Sequence, residues 1–68
     1  MTQCERIIKY MEDYGSITPM EAMKDLGIYR LASRIHDLSK AGFAINRRTE
    51  MAQNRYGEHI RYTRYSLL

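Results

Sequence analysis

An α+β domain, three short helices followed by a two-stranded β-hairpin, is what this sequence predicts, and three observations carry that expectation. Two segments open with the same helix-start signal, Thr2 with Glu5 and Thr18 with Glu21 three residues on. Apolar residues recur at helical spacing up to Ala41 and alternate from Phe43, a change of period from 3.6 to 2. The segment Asn54-Arg55-Tyr56-Gly57 then breaks the alternation as a turn would.

The first helix is expected over about 2–14. Cys4, Ile7, Ile8 and Met11 form its buried stripe and Gly15 closes it. Its outer face mixes Arg6, Lys9, Glu12 and Asp13, as a solvated or subunit-facing surface does. Ser16 and Ile17 follow as an extended link, suited to one rung of a small sheet. A second helix is expected over 19–26. The Thr18 oxygen accepts from the backbone three residues on, Pro19 suits the first helical position, and Glu21 reaches back to the Thr18 N–H. Ala22, Met23 and Leu26 make its apolar stripe, and Gly27 supplies the left-handed stop.

A third helix is expected over 29–41, stopped by Gly42. With about 100° per residue, Leu31, Ile35 and Leu38 face inward with Ala32 and Ser39 beside them. Arg30, Ser33, Asp37 and Lys40 then face outward, flanked by Tyr29 and His36 on one side and Arg34 on the other. Two helices joined by a short glycine-containing turn, the second with a polar and basic outer face, form the helix-turn-helix arrangement that sets a helix into the DNA major groove.

The hairpin is expected over 43–52 and 58–67. Phe43 and Ile45 face inward with Tyr65 and Leu67, and Gly57 takes the left-handed position of a type I turn with a bulge. Pairing Asn54 with Glu58 sets Ile45 against Leu67, Arg47 against Tyr65, Arg48 against Arg64 and Glu50 against Tyr62, so that Glu50 offsets the two arginines. Asn54, Arg55 and Tyr56, with His59 nearby, form a polar, aromatic tip with no core to reach, which reads as a wing.

A chain of 68 residues makes one domain, 1–68. It buries only about 60% of the surface it would expose unfolded, so a second copy would add stability. One cysteine excludes an internal disulfide, and with His36 and His59 it leaves no zinc set. No apolar run approaches the ~20 residues that span a bilayer, and no signal-peptide order opens the chain. A cytoplasmic protein of a bacterial or phage-infected cell, associated with the nucleoid, is the expectation. The net charge of +3 is unevenly spread: residues up to Ile28 carry −2 and those from Tyr29 onward +5. Seven of the eight cations in that second part are arginine, whose planar fork suits phosphates and guanine edges, so a polyanion is expected to meet the C-terminal part. No nucleophile–base pair, phosphate-cradling glycine loop or cofactor motif appears, so neither an enzyme nor a small-molecule site is expected.

The segment LGIYRLASRIHDLSKAGF and the basic tip NRYG resemble the winged helix-turn-helix superfamily of DNA-binding proteins. More narrowly, SITPMEAMKDLGIYRLASRIHDLSKAG with RYTRYSL looks like the small stand-alone helix-turn-helix proteins of phages and mobile elements. The resemblance implies a three-helix winged helix-turn-helix with a C-terminal two-stranded β-hairpin wing. It also implies a partner in double-stranded DNA and a role in regulating transcription or organising DNA. Tyr29, Arg30, Ser33, Arg34 and Asp37 match the exposed recognition-helix positions, and Arg55 and Tyr56 the wing tip. Thr18, Lys40, Arg47 and Arg48 complete the expected DNA-contacting set. Within it, Arg34 suits either a phosphate or a glutamate or aspartate on the neighbouring helix, and Asp37 suits a cytosine amino group or the orienting of Arg30, Ser33 or Lys40. The competing reading is a protein-interaction module on the same fold, a docking domain or an inhibitor of a host protein.

Overall fold

The computed structural model describes residues 1–68. Helix α1 spans Gln3–Tyr14, α2 Pro19–Leu26 and α3 Leu31–Lys40, followed by strands β1, Ile45–Gln53, and β2, His59–Leu67. Both expected capping boxes form. The Thr2 hydroxyl accepts from Glu5 N–H at 3.1 Å while the Glu5 carboxylate accepts from Thr2 N–H at 2.8 Å. Thr18 and Glu21 repeat the exchange at 3.2 and 3.0 Å. Each box satisfies two backbone donors that a helix start otherwise leaves open. Gly15 and Gly27 end their helices in the left-handed region, at φ 88° and 68°.

The third helix starts at Leu31, two residues later than its periodicity suggests. Arg30 is its N-cap, with φ −114° and ψ 58°, so the turn runs through Tyr29 and Arg30 and both lie outside the helical repeat. At its other end Gly42 N–H donates to Ser39 O and Phe43 N–H to Leu38 O, both at 3.1 Å, the paired bonds of a Schellman ending. That ending holds Phe43 in the helix stop and delays the strand to Ile45. Phe43 therefore stays 44% exposed instead of joining the pleat as a core residue. Met23 is likewise 42% exposed, while Ala22 on the same helix is fully buried.

The core joins all the elements. Ile7 and Met11 of α1, Ala22 of α2, Ile28 of the turn and Leu31, Ile35 and Leu38 of α3 pack with Ile17 and Tyr65. The hairpin register is the expected one, from Ile45 opposite Leu67 to Gln53 opposite His59. Asn54 N–H donates to Glu58 O at 3.0 Å and Gly57 N–H to Asn54 O at 3.0 Å, with Gly57 at φ 76°. The link after α1 supplies the sheet's third rung. Ile17 and Tyr65 exchange both backbone bonds, each 2.8 Å, so β2 is flanked by this bridge on one side and by β1 on the other.

Candidate nucleic-acid interface

Tyr65 is buried, and strand alternation puts Arg47, its register partner, on the same face of the hairpin. The Arg47 guanidinium carbon lies 5.9 Å from the Tyr65 ring centroid, and its Nη2 donates to Ser39 Oγ of α3 at 3.3 Å. This face therefore adjoins α3. Beyond the core it carries Thr49, Met51 and Gln53 on β1 and Thr63, Arg61 and His59 on β2. No carboxylate stands on it, so Arg47 and Arg61 keep uncompensated charge.

The reverse face is different. Arg48 and Arg64 stand opposite each other there, and Glu50 binds both, Arg48 Nη2 at 2.7 Å and Arg64 Nε at 2.9 Å. Arg64 Nη1 also donates to Ser16 Oγ at 2.9 Å and lies 3.5 Å from the Glu21 carboxylate. Arg64 and then Arg48 hold the Glu50 carboxyl below the usual carboxylate range, and the same pairing with Glu50 raises the Arg64 guanidinium further. Arg64 is thus a bracket between the hairpin, the α1–α2 link and the start of α2. Its sequence signature is slight, because the partners lie far apart in the chain.

The expected contact residues divide accordingly. Thr18 is 4% exposed and its hydroxyl is engaged in the α2 cap, so its side chain is closed to a ligand. Arg48 sits on the face turned away from Arg47, paired with Glu50. Arg34 and Asp37 pair with each other: Arg34 Nε lies 3.1 Å from Asp37 Oδ2, closed off from solvent and at an angle that makes no hydrogen bond. Their flank of α3 turns toward α1, where the Cys4 thiol reaches the Arg34 carbonyl at 4.0 Å.

Tyr29, 80% exposed, Arg30 and Lys40 stand free in solvent, and Ser33 is half-buried. The flank of α3 toward the hairpin is marked by Ser39 and carries Ala32 about two turns earlier on the same side, with His36 between them; both are exposed. Neither of these, nor Arg61, stands out in the sequence by residue type. The period-2 relation of Arg61 to the buried Tyr65 is the signal that finds it.

The tip is preorganised. Asn54 Oδ1 accepts from Tyr56 N–H at 2.9 Å and from Glu58 N–H at 3.0 Å, and Asn54 Nδ2 donates to Glu58 Oε1 at 3.0 Å. Two backbone N–H groups and one carboxylate oxygen are thereby fixed by one asparagine side chain. Arg55 and Tyr56 project into solvent from this braced turn, Tyr56 85% exposed.

Three helices with a tight α2–α3 turn, and a braced hairpin whose cationic face adjoins the third helix, define a helix-turn-helix domain with a single wing. The chain belongs to the winged helix-turn-helix domain family, whose model matches residues 2–68. No curated protein and no solved structure is significantly similar to it. No helix is long and apolar enough to cross a membrane.

Proposed function

We propose that the protein binds double-stranded DNA sequence-specifically, as a small transcriptional regulator or architectural factor of the bacterial or phage-infected cytoplasm. In this reading α3 enters the major groove and the wing lies on the backbone or in the minor groove. The observation that carries it is the segregation of charge between the two faces of the hairpin. The face joined to α3 bears Arg47 and Arg61 without a carboxylate, while the other face cancels Arg48 and Arg64 with Glu50. Solubility alone gives no reason to keep acids off one face only; a polyanion lying across α3 and that face does.

Arg30, at the start of α3 and exposed, is assigned to base edges, with Tyr29 and Ser33 beside it. Lys40, Arg47 and Arg61 are assigned to phosphates. Arg55, with Tyr56, is assigned to the minor groove or the flanking backbone, since a braced tip can enter without reshaping the fold. Arg34 and Asp37 act as a pair on the flank of the contact.

Titration against random-sequence and selected duplexes at two salt concentrations tests the reading. Binding should weaken steeply with salt, with a slope near −0.9 for each phosphate neutralised, roughly −3 to −4 for four contacts. Arg30→Ala should blur sequence preference, and Arg55→Ala should lower affinity for all duplexes alike. No binding at low salt would end the proposal.

A protein partner is the second reading, favoured by a shallow apolar groove between α1 and the end of α3, lined by Cys4, Ile8, Leu38, Ala41 and the exposed Phe43. Recovery of one host protein by the nuclease-treated chain, lost with Phe43→Glu, would support it over DNA.

A further inference from the structure

Strand β1 pairs with β2 on one side only, and the sheet ends there. Which backbone groups its open edge offers follows from bonds at three points. Tyr65 spends its N–H and C=O on Ile17, so the groups of its register partner Arg47 turn outward. Asn54 N–H donates to Glu58, and the Ala44 carbonyl accepts from Leu68 N–H at 3.1 Å, so the even-numbered residues face β2. Alternation leaves Ile45, Arg47, Thr49, Met51 and Gln53 with both backbone groups on the open edge.

We infer that this edge is a homodimer interface, where β1 of a second copy pairs antiparallel about a two-fold axis at Thr49 to make a continuous four-stranded sheet. Outward residues must meet outward residues, so the two-fold axis falls on a residue and not between two, and the registers that overlap most of Ile45–Gln53 are those centred on residue 48, 49 or 50. Charge selects among them. Centring on Thr49 sets Arg48 opposite Glu50 of the second copy and Glu50 opposite its Arg48. The neighbouring registers set Arg48 against Arg48 or Glu50 against Glu50, which like-charge repulsion disfavours. The centred register also overlaps the whole strand, with Arg47 against Met51 and Ile45 against Gln53. Glu50 keeps Arg64 of its own chain at 2.9 Å, while the Arg48 side chain, 68% exposed and bonded at 2.7 Å to Glu50 of its own strand, exchanges that partner for Glu50 of the second copy across the seam.

The inference concerns the protein alone and is tested without DNA. Sedimentation velocity over a concentration series should show a monomer–dimer equilibrium. Thr49→Pro should abolish it with the far-ultraviolet spectrum unchanged, because the lost N–H points away from β2. Arg48→Glu, which sets like charges at both symmetry-related positions, should weaken the dimer roughly tenfold.

Should Thr49→Pro fail to fold, cysteine mapping in a Cys4→Ala background decides the matter. Thr49→Cys should oxidise to a covalent dimer, since residues in a hydrogen-bonded antiparallel pair lie about 5.5 Å apart at Cα, within disulfide reach. Arg48→Cys and Glu50→Cys should not. A chain that stays monomeric up to on the order of 1 mM, a dimer unaffected by Thr49→Pro, or preferential cross-linking at 48 or 50 would overturn the interface as drawn.

Discussion

Replacing Arg64 by methionine keeps most of the side chain's apolar length and removes the guanidinium that ties the hairpin to the helices. Three partners lose it at once: Glu50 at 2.9 Å, Ser16 at 2.9 Å and Glu21 at 3.5 Å. The Arg64 and Glu50 side chains keep 25% and 23% of their exposure, so the pair is neither fully buried nor free in solvent. A hydrogen bond to a charged group is worth about 1.5–3 kcal/mol when well sheltered and a solvated pair less than about 1, which puts the expected loss at about 1–2 kcal/mol. For a domain of this size that lowers Tm by about 5–15 °C. Urea denaturation should give the same loss as a shift in midpoint with the slope unchanged. A double-mutant cycle with Glu50→Gln should show the two losses to be non-additive. A loss under about 0.3 kcal/mol, with the two substitutions additive, would refute the bracket assigned to Arg64.

Acid should act through the same site. The Glu50 carboxyl sits below its ordinary value of 4.5 because Arg64 and then Arg48 bind its charged form. Its contribution is therefore complete above that ordinary value and lost as pH falls through the lowered one. Glu50→Gln should flatten this acid limb, followed by urea midpoints between about pH 2 and pH 6. In the α1–α2 corner, Tyr10 donates to Asp25 at 2.6 Å, which together with its surroundings pushes its hydroxyl up to about 12. An ultraviolet titration should show Tyr10 ionising late, and Asp25→Asn should bring it back toward 10.0. Thr18→Ala should cost about 1 kcal/mol by opening the α2 cap, and Thr18→Asp, which keeps an acceptor there, should recover part of it. On DNA, Arg61→Ala should reduce the salt slope by about 0.9, and Arg6→Ala on the outer face of α1 should leave it unchanged.

Local chemistry was the legible part of this fold. Thr2, Glu5, Thr18 and Glu21 announce their helix starts because a capping box is closed within four residues. Gly57 and the Asn54–Glu58 pairing carry the hairpin register for the same reason. What periodicity does not carry is how far a small core reaches. Met23 and Phe43 lie at apolar positions, yet a core of nine residues ends before it covers them. The start of α3 was also hidden, since Arg30 is a good helix former held outside the helix by the turn. For the candidate site, alternation separates Arg47 from Arg48, but only the Ser39 contact tells which of the two faces lies against α3. The Arg34–Asp37 pair, three residues apart on one helix, was open to sequence reading.

The Ile17–Tyr65 bridge has a consequence for how the molecule comes apart. It joins segments 48 residues distant across the seam that Arg64 and Ser16 also close, so its two amides are released only when the helices lose their packing as well. Hydrogen exchange at Ile17 and Tyr65 should report the free energy of complete unfolding, whereas amides near Gln53 and His59, the last pair before the turn, should exchange through local fraying. The molecule has a stiff foot and a compliant arm, and the arm can adapt to what it grips without loosening the foot.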